Sequence, residues 1–142
     1  MIRVAFDLGA RRVGVSVHDD EVLPARPQGT LAADERIVAT LAAAVAAHRA
    51  DEVVVGLPLA LDGTEGPAAK RARRVAAALA RRVTAPVVLW DERLTTVQAE
   101  RFRRARGVKG RDGIDAEAAA ILLQSYVDAR RGGTARDDDE AP

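Results

Sequence analysis

The most constraining stretch of this chain is residues 2–17, which read IRVAFDLGARRVGVSV and contain two alternating apolar runs separated by a glycine. Alternation of apolar residues with a period of two is typical of a half-buried β-strand. Gly9 supplies the backbone freedom that a turn between two such strands needs. Asp7 therefore stands where a buried strand meets a tight turn. A carboxylate in that place is either a turn-forming residue or part of a functional site.

The rest of the pattern predicts helices that alternate with short buried strands. The apolar runs at residues 52–56 and 86–90 are typical of strands covered on both faces, and the Pro-containing stretch at 22–31 suits an edge strand. Helical spacing of apolar residues predicts helices at residues 34–48, 68–83 and 115–129. A capping box of Thr95 and Gln98 predicts a fourth helix at residues 95–106. The predicted order, β-β-β-α-β-α-β-α-α, describes an α/β domain in which parallel strands extend a hairpin sheet through helical crossovers.

Length and composition indicate one globular domain. The 142 residues are 48% hydrophobic and 30% charged, which is the balance of a folded chain. The chain has no cysteine, so disulfides and thiolate metal sites are excluded. No apolar run approaches the ~18 residues of a membrane span, and no signal peptide precedes the first strand. We therefore expect a cytoplasmic protein with no membrane partner.

Charge is distributed unevenly, although the formal net charge is only +1. Residues 132–142 contain three aspartates and one glutamate against a single arginine. This composition predicts a disordered acidic tail that follows a folded domain at residues 1–131. The two histidines, His18 and His48, are expected at the surface.

Acidic residues stand at the ends of distant predicted elements. Asp7 ends the first strand, Asp91 and Glu92 end the last strand, and Asp115 opens the final helix. Ligands of such sheets gather at the carboxyl ends of the strands, so these acids are expected at one edge. Carboxylates about 5 Å apart repel by roughly 3 kcal/mol at an effective dielectric near 20, which a proton or a cation must relieve. Oxygen ligands favour Mg²⁺ or Mn²⁺, and two such ions can hydrolyse a phosphodiester.

Each acid also has an ordinary structural interpretation. Asp7 suits a turn, Glu92 suits a solvated pair with Arg93, and Asp115 suits a helix N-cap. Asp91 is the less favoured ligand of the 91–92 pair, because neighbouring residues of a strand point to opposite faces.

Basic residues are concentrated in two helices and beside Asp7. Six positive charges fall within residues 101–111 without an acid, and more line the helix at 68–83. They indicate either contacts to a phosphate backbone or a solubilising surface. With only two Phe, one Trp and one Tyr, recognition by stacked bases is disfavoured. The candidate nucleic-acid-binding residues are Arg11, Arg12, Lys70, Arg74, Arg93, Arg103, Arg104, Lys109 and Arg111.

Four motifs together resemble the YqgF/RuvX family across residues 3–128. They read FDLGARRVGVSVHD, VVVGLPLALDGTEGPAAKRARRVA, LWDERLTTVQAE and GIDAEAAAILLQSYVD. The resemblance implies a ribonuclease-H-like fold, a mixed five-stranded sheet with helices on both faces, related to RuvC resolvases. It implies a nuclease that matures the 5′ end of pre-16S ribosomal RNA, with Holliday-junction resolution as the alternative. It makes Asp7, Glu92 and Asp115 the catalytic and metal-binding acids, with structured RNA, branched DNA or ribosomal particles as partners.

The chain departs from the RuvC pattern at one position. Resolvases of that type carry an acid at the end of the strand before the second helix, where this chain has Gly56, Leu57 and Pro58. Glu92, one strand further along, is therefore expected to reach across to the other acids. The loop at residues 56–66 is expected to line a substrate groove.

Two other classes of protein share parts of this pattern. Enzymes of the actin and sugar-kinase type also have Asp-x-Gly after a first strand, but they hold ATP between two domains, and their loop carries a hydroxyl residue where this chain has Ala10. A non-catalytic nucleic-acid or ribosome-assembly binding module would retain the fold without the chemistry, and the acids at all three positions weigh against it.

Overall fold

The computed structural model describes residues 1–95 and 111–140. Five strands and three helices follow one another in the order predicted, and a 3₁₀ turn, Glu92–Thr95, follows the last strand. The elements are β1 (Ile2–Leu8), β2 (Arg12–Asp19), β3 (Val22–Ala32), α1 (Ile37–Ala47), β4 (Glu52–Leu57), α2 (Pro67–Ala80), β5 (Val87–Asp91) and α3 (Arg111–Glu140).

The strands form one mixed sheet in the order β3-β2-β1-β4-β5. β1 pairs antiparallel with β2, and β2 pairs antiparallel with β3. β4 is parallel to both β1 and β5. The predicted edge position of β3 and the predicted five-stranded mixed sheet are therefore confirmed. The carboxyl ends of β1, β4 and β5 meet at one edge of the sheet.

Helices cover both faces of the sheet because the strand residues alternate between two cores. Val4 and Phe6 of β1 pack in the larger core with residues of α1 and α2, whereas Ala5 packs in the second core with residues of α3. Asp7 has the same parity as Ala5, so it stands on the α3 face. The alternation that predicted the strand thus also decides which helix faces its terminal acid.

Two expectations from the sequence are wrong. Residues 86–90 were expected to form a strand covered on both faces, but β5 lies at the edge of the described sheet and every residue in it is partly exposed. His18 was expected at the surface, but its side chain is fully buried. Burial follows from its parity in β2, because Ser16 on the same face lies beneath α3 and donates a hydrogen bond of 2.6 Å to the carbonyl of Ala119.

Helix ends differ from the sequence pattern in detail. Asp34 lies ahead of α1, and its side chain accepts a hydrogen bond of 2.9 Å from the Arg36 N–H in the turn before the helix. The helix predicted at 95–106 lies outside the described residues. α3 extends to Glu140, beyond the end predicted at residue 129, and the disorder of residues 132–142 stays a prediction. Among the described residues, no helix is long and apolar enough to cross a membrane.

Gly14 provides a test of how α3 is seated. A Cβ at this position would overlap the backbone carbonyl of Asp115, so Gly14→Ala must displace the start of α3. We expect a loss of about 2–3 kcal/mol in the free energy of unfolding, measured by urea denaturation. The control is Gly66→Ala, where nothing lies within 4 Å of the added methyl, and we expect it to cost about 1 kcal/mol or less. Equal losses would contradict a tight contact at Gly14.

Candidate active site

Asp7 and Asp115 are brought together by the hairpin and the start of α3. Asp7 lies directly opposite Gly14 in the antiparallel pairing of β1 and β2. The absence of a side chain at Gly14 lets the backbone of Asp115 rest on the sheet. The Asp115 carboxylate is close enough that its charge raises the pKa of Asp7. Two acids 108 positions apart in the chain therefore share one place.

Glu92 reaches the same place from β5 by crossing over β4. Gly56 of β4 lies between the two strands and pairs with Trp90. A Cβ at Gly56 would stand 2.9 Å from Cδ and 3.0 Å from Cγ of Glu92. The Glu92 side chain thus occupies the space that a side chain at position 56 would need. The geometry shows the reach across β4 that the sequence predicted.

Asp7 and Glu92 are joined by a hydrogen bond between their carboxyl groups. Burial, the negative charge of Asp7 and the hydrogen bond to Asp7 together raise the pKa of Glu92 to about 8, with burial as the largest cause. Burial also raises the pKa of Asp7, opposed by the hydrogen bond from Glu92. Two carboxyl groups can bond only when one keeps its proton, so the pair of Asp7 and Glu92 shares one proton.

Asp115 is held by an arginine on the neighbouring strand. Arg12 Nε donates to Asp115 Oδ2 at 2.9 Å, and both side chains are about one-third exposed. The backbone of Arg12 is fixed by the turn, where the Gly9 N–H donates to its carbonyl at 2.8 Å. Asp7 and Glu92 are therefore bonded to each other, whereas Asp115 is bonded to the guanidinium of Arg12.

Asp91 faces away from this cluster, as the strand alternation predicted. It pairs with Leu57 on the other face of the sheet, and its carboxylate receives hydrogen bonds from Arg93 of 2.6 to 3.0 Å. Arg93 also donates to the carbonyls of Ala60 and Leu61, at 3.4 and 3.2 Å. Its guanidinium therefore fastens the loop after β4 to the end of β5, a role that the sequence did not indicate.

The predicted nucleic-acid-binding residues divide into three groups. Arg11, Lys70 and Arg74 are exposed, whereas Arg12 and Arg93 are already bonded to acids. Arg111 begins α3, and its side chain is not among those described. The others lie outside the described residues, and they are Arg103, Arg104 and Lys109.

One basic residue near the acids was not singled out from the sequence. Arg71 of α2 donates a hydrogen bond of 2.8 Å to the carbonyl of Gly9, in the turn that follows Asp7. The contact brings the first turns of α2 to the same edge of the sheet as the acids. A signal was present, since a helix that follows the carboxyl end of a parallel strand starts at that edge.

The donor set suits a hard divalent cation, although the acids are not arranged around one. Within residues 1–95 and 111–140, no three His, Cys, Asp or Glu side chains form a group that could hold a metal ion. Asp7 and Glu92 face each other, and Asp115 faces Arg12. Two carboxyl groups that lie this close are held together by a proton. A divalent cation can displace that proton and bind both groups. Asp7 and Glu92 would hold such an ion, with Asp115 as the adjacent third ligand.

Comparison with known proteins shows that this chain belongs to the RuvX family. The RuvX family, described as Holliday junction resolvase, matches residues 1–129. A protein of Chloroflexus aggregans named "Putative pre-16S rRNA nuclease" is 44% identical over 133 residues, which cover 90% of this chain and 94% of that protein. A protein of the same name from Geobacillus kaustophilus is 41% identical, over 92% of this chain and all of its own length.

Solved structures agree on the fold. RuvC of Thermus thermophilus in complex with a Holliday junction substrate superimposes with a TM-score of 0.64 at 20% identity, over 94% of this chain and 97% of RuvC. The fowlpox virus Holliday junction resolvase gives a TM-score of 0.57 at 13% identity, over 91% of this chain and 99% of the viral protein. The predicted ribonuclease-H-like fold is therefore confirmed.

The proton shared by Asp7 and Glu92 predicts a dependence of stability on pH. Between the ordinary glutamate pKa near 4.5 and about 8, the folded protein retains a proton that the unfolded chain releases. In EDTA, the free energy of unfolding therefore falls as pH rises through this window. Glu92→Gln keeps a donor to Asp7 and should be more stable than the unaltered protein at pH 8, by on the order of 1–3 kcal/mol.

Urea denaturation from pH 5 to 9 measures this effect. The exposed Glu21 in the turn between β2 and β3 provides the matched control, since Glu21→Gln should retain the pH dependence of the unaltered protein. A Glu92→Gln protein with the same pH profile as the unaltered one would show that Asp7 and Glu92 share no proton.

Proposed function

Because the chain belongs to the RuvX family of Holliday junction resolvases, we propose that it is a metal-dependent nuclease that hydrolyses phosphodiester bonds in structured nucleic acid. The observation that carries the proposal is the partly buried carboxyl pair of Asp7 and Glu92, with Asp115 beside it. A fold that places three acids from distant segments at one sheet edge gains nothing in stability from their repulsion. Their juxtaposition is explained by chemistry at that edge.

The acids would act as ligands of one or two Mg²⁺ or Mn²⁺ ions. When bound, such ions lower the pKa of water and neutralise charge that develops on the scissile phosphate. Asp7 lies between the other two acids, so it is the residue whose loss should affect the site most. Glu92 would release its proton when the cation binds, because a carboxyl ligand is ionised.

The basic surface supports a phosphate-backbone partner. Lys70 and Arg74 are exposed one helical turn apart on α2, and Arg71 between them touches the turn beside Asp7. Arg11, in the same turn, is also exposed. Contacts of this kind bind phosphate without reading bases, so substrate selection would depend on the shape of the nucleic acid.

We propose the 5′ region of pre-16S ribosomal RNA as the substrate, on the names of the relatives that share 41–44% of their residues with this chain. Such a substrate would place the protein in the cytoplasm and in contact with assembling ribosomal particles. A four-way DNA junction is the second candidate, favoured by the description of the family that matches residues 1–129.

A cleavage assay with Asp7→Asn tests the proposal. The protein is incubated with RNA spanning the 5′ leader of 16S rRNA and with a four-way DNA junction, in Mg²⁺, Mn²⁺ or EDTA. We expect cleavage only with metal, and a loss of more than about 100-fold in Asp7→Asn, since removal of a central ligand removes the bound ion. The substrate that is cut faster decides between RNA maturation and junction resolution.

The matched control for that assay is Asp128→Asn. It makes the same chemical change on the exposed side of α3, about 20 Å along the helix from Asp115, where Asp128 accepts a hydrogen bond from Gln124. We expect it to cut at the rate of the unaltered protein. If the unaltered protein binds both substrates and cuts neither, the nuclease proposal fails and a binding module takes its place.

The α2 surface makes a separate prediction. Arg74→Gln removes one exposed charge beside the site, so it should weaken binding to RNA and reduce the slope of log affinity against log salt by about 1 or slightly less. Arg49→Gln removes an exposed charge just after α1, ahead of the amino-terminal end of β4, and should leave the slope unchanged. Filter binding from 50 to 200 mM salt measures these slopes. Identical slopes for the unaltered protein, Arg74→Gln and Arg49→Gln would show that the RNA backbone does not contact Arg74.

A further inference from the structure

We propose that Arg12 is a positioning residue that holds Asp115 away from the other two acids until a phosphate of the substrate takes its guanidinium. The inference rests on the proposed function and adds an order of events to it. Without nucleic acid, Asp115 is bonded to Arg12. With nucleic acid bound, Asp115 is released and completes the cation site.

The ion pair between Arg12 and Asp115 is built so that a phosphate can compete for it. Arg12 Nε donates to Asp115 Oδ2 at 2.9 Å, and each side chain is about one-third exposed. Phosphate offers a guanidinium a bidentate, doubly hydrogen-bonded partner. The bond that holds Asp115 is thus accessible to the group that is expected to replace it.

The exchange requires only side-chain movement. The backbone of Asp115 is seated on Gly14, and the backbone of Arg12 is fixed by the hydrogen bond from Gly9. Asp7 lies directly opposite Gly14 in the pairing of β1 and β2, so the backbone of Asp115 is already seated next to Asp7. A rotation of the Asp115 carboxylate from Arg12 towards Asp7 would therefore complete the group without a shift of α3.

Charge balance favours exchange of both partners together. In the free protein, the guanidinium of Arg12 offsets the charge of the Asp115 carboxylate. When phosphate takes Arg12, Asp115 loses its counter-charge next to Asp7, and a divalent cation supplies it. Binding of phosphate and binding of metal are consequently coupled through Arg12, and by linkage each increases the affinity for the other.

Calorimetric titration with Mn²⁺ tests the proposal without measuring cleavage. In the absence of nucleic acid, Arg12→Gln frees Asp115 and should bind Mn²⁺ about tenfold more tightly than the unaltered protein. Arg11→Gln removes the same charge from the neighbouring, exposed position and should change the Mn²⁺ affinity by less than about threefold. Arg12→Lys retains a cationic donor and should remain close to the unaltered protein.

A second titration adds an RNA hairpin with phosphorothioate linkages, which keep the backbone charge and resist hydrolysis, and gel analysis afterwards checks that the hairpin is intact. Here the Mn²⁺ affinities of the unaltered protein and of Arg12→Gln should converge, because the phosphate has already released Asp115 in the former. Thermal unfolding of each variant in EDTA confirms that the comparison is between folded proteins.

The outcomes separate this inference from the proposed function. Equal Mn²⁺ affinities in Arg12→Gln and Arg11→Gln would overturn the role of Arg12, while metal-dependent cleavage by the unaltered protein would stand. If the unaltered protein binds no Mn²⁺ with or without RNA, the metal-dependent nuclease itself is overturned.

Discussion

The hydrogen bond between Asp7 and Glu92 is the interaction on which the candidate site depends. It joins the ends of β1 and β5, which are not neighbours in the sheet, and it passes over Gly56 of the strand between them. A Cβ at position 56 would stand 2.9 Å from Cδ of Glu92, so the glycine leaves room for the crossing. The bond also requires a proton that an exposed glutamate would not keep at neutral pH. The bond therefore depends both on the space left by Gly56 and on the partial burial that keeps the proton in place.

A second glycine solves the corresponding problem for the third acid. Gly14 lies opposite Asp7 in the hairpin and allows the backbone of Asp115 to approach the sheet. Both glycines stand on the α3 face of the sheet, and both sit beside an acid from another element. The site is therefore formed as much by the missing side chains at these two positions as by the carboxylates.

Much of the arrangement was predictable because local patterns determine it. Strand alternation placed Asp91 and Glu92 on opposite faces, and the structure has Asp91 bonded to Arg93 and Glu92 bonded to Asp7. The sequence-based predictions that were wrong concern residues whose surroundings depend on which helices and strands become neighbours. His18 is buried because α3 packs on β2, and the sequence around His18 does not predict that contact. The pairing of Arg12 with Asp115 spans 103 positions, and either residue alone reads as an ordinary surface charge.

Because β5 lies at the edge of the described sheet, Glu92 is held less firmly than Asp7. Asp7 is carried by β1, a central strand paired on both sides, whereas Glu92 follows a strand that pairs only with β4 among the described residues. Edge strands with partly exposed residues belong to the parts of a fold that open locally at lower free energy than its centre. A transient opening of β5 would withdraw Glu92 while the hairpin and Asp7 stay folded. The site would then be interrupted far more often than the protein unfolds.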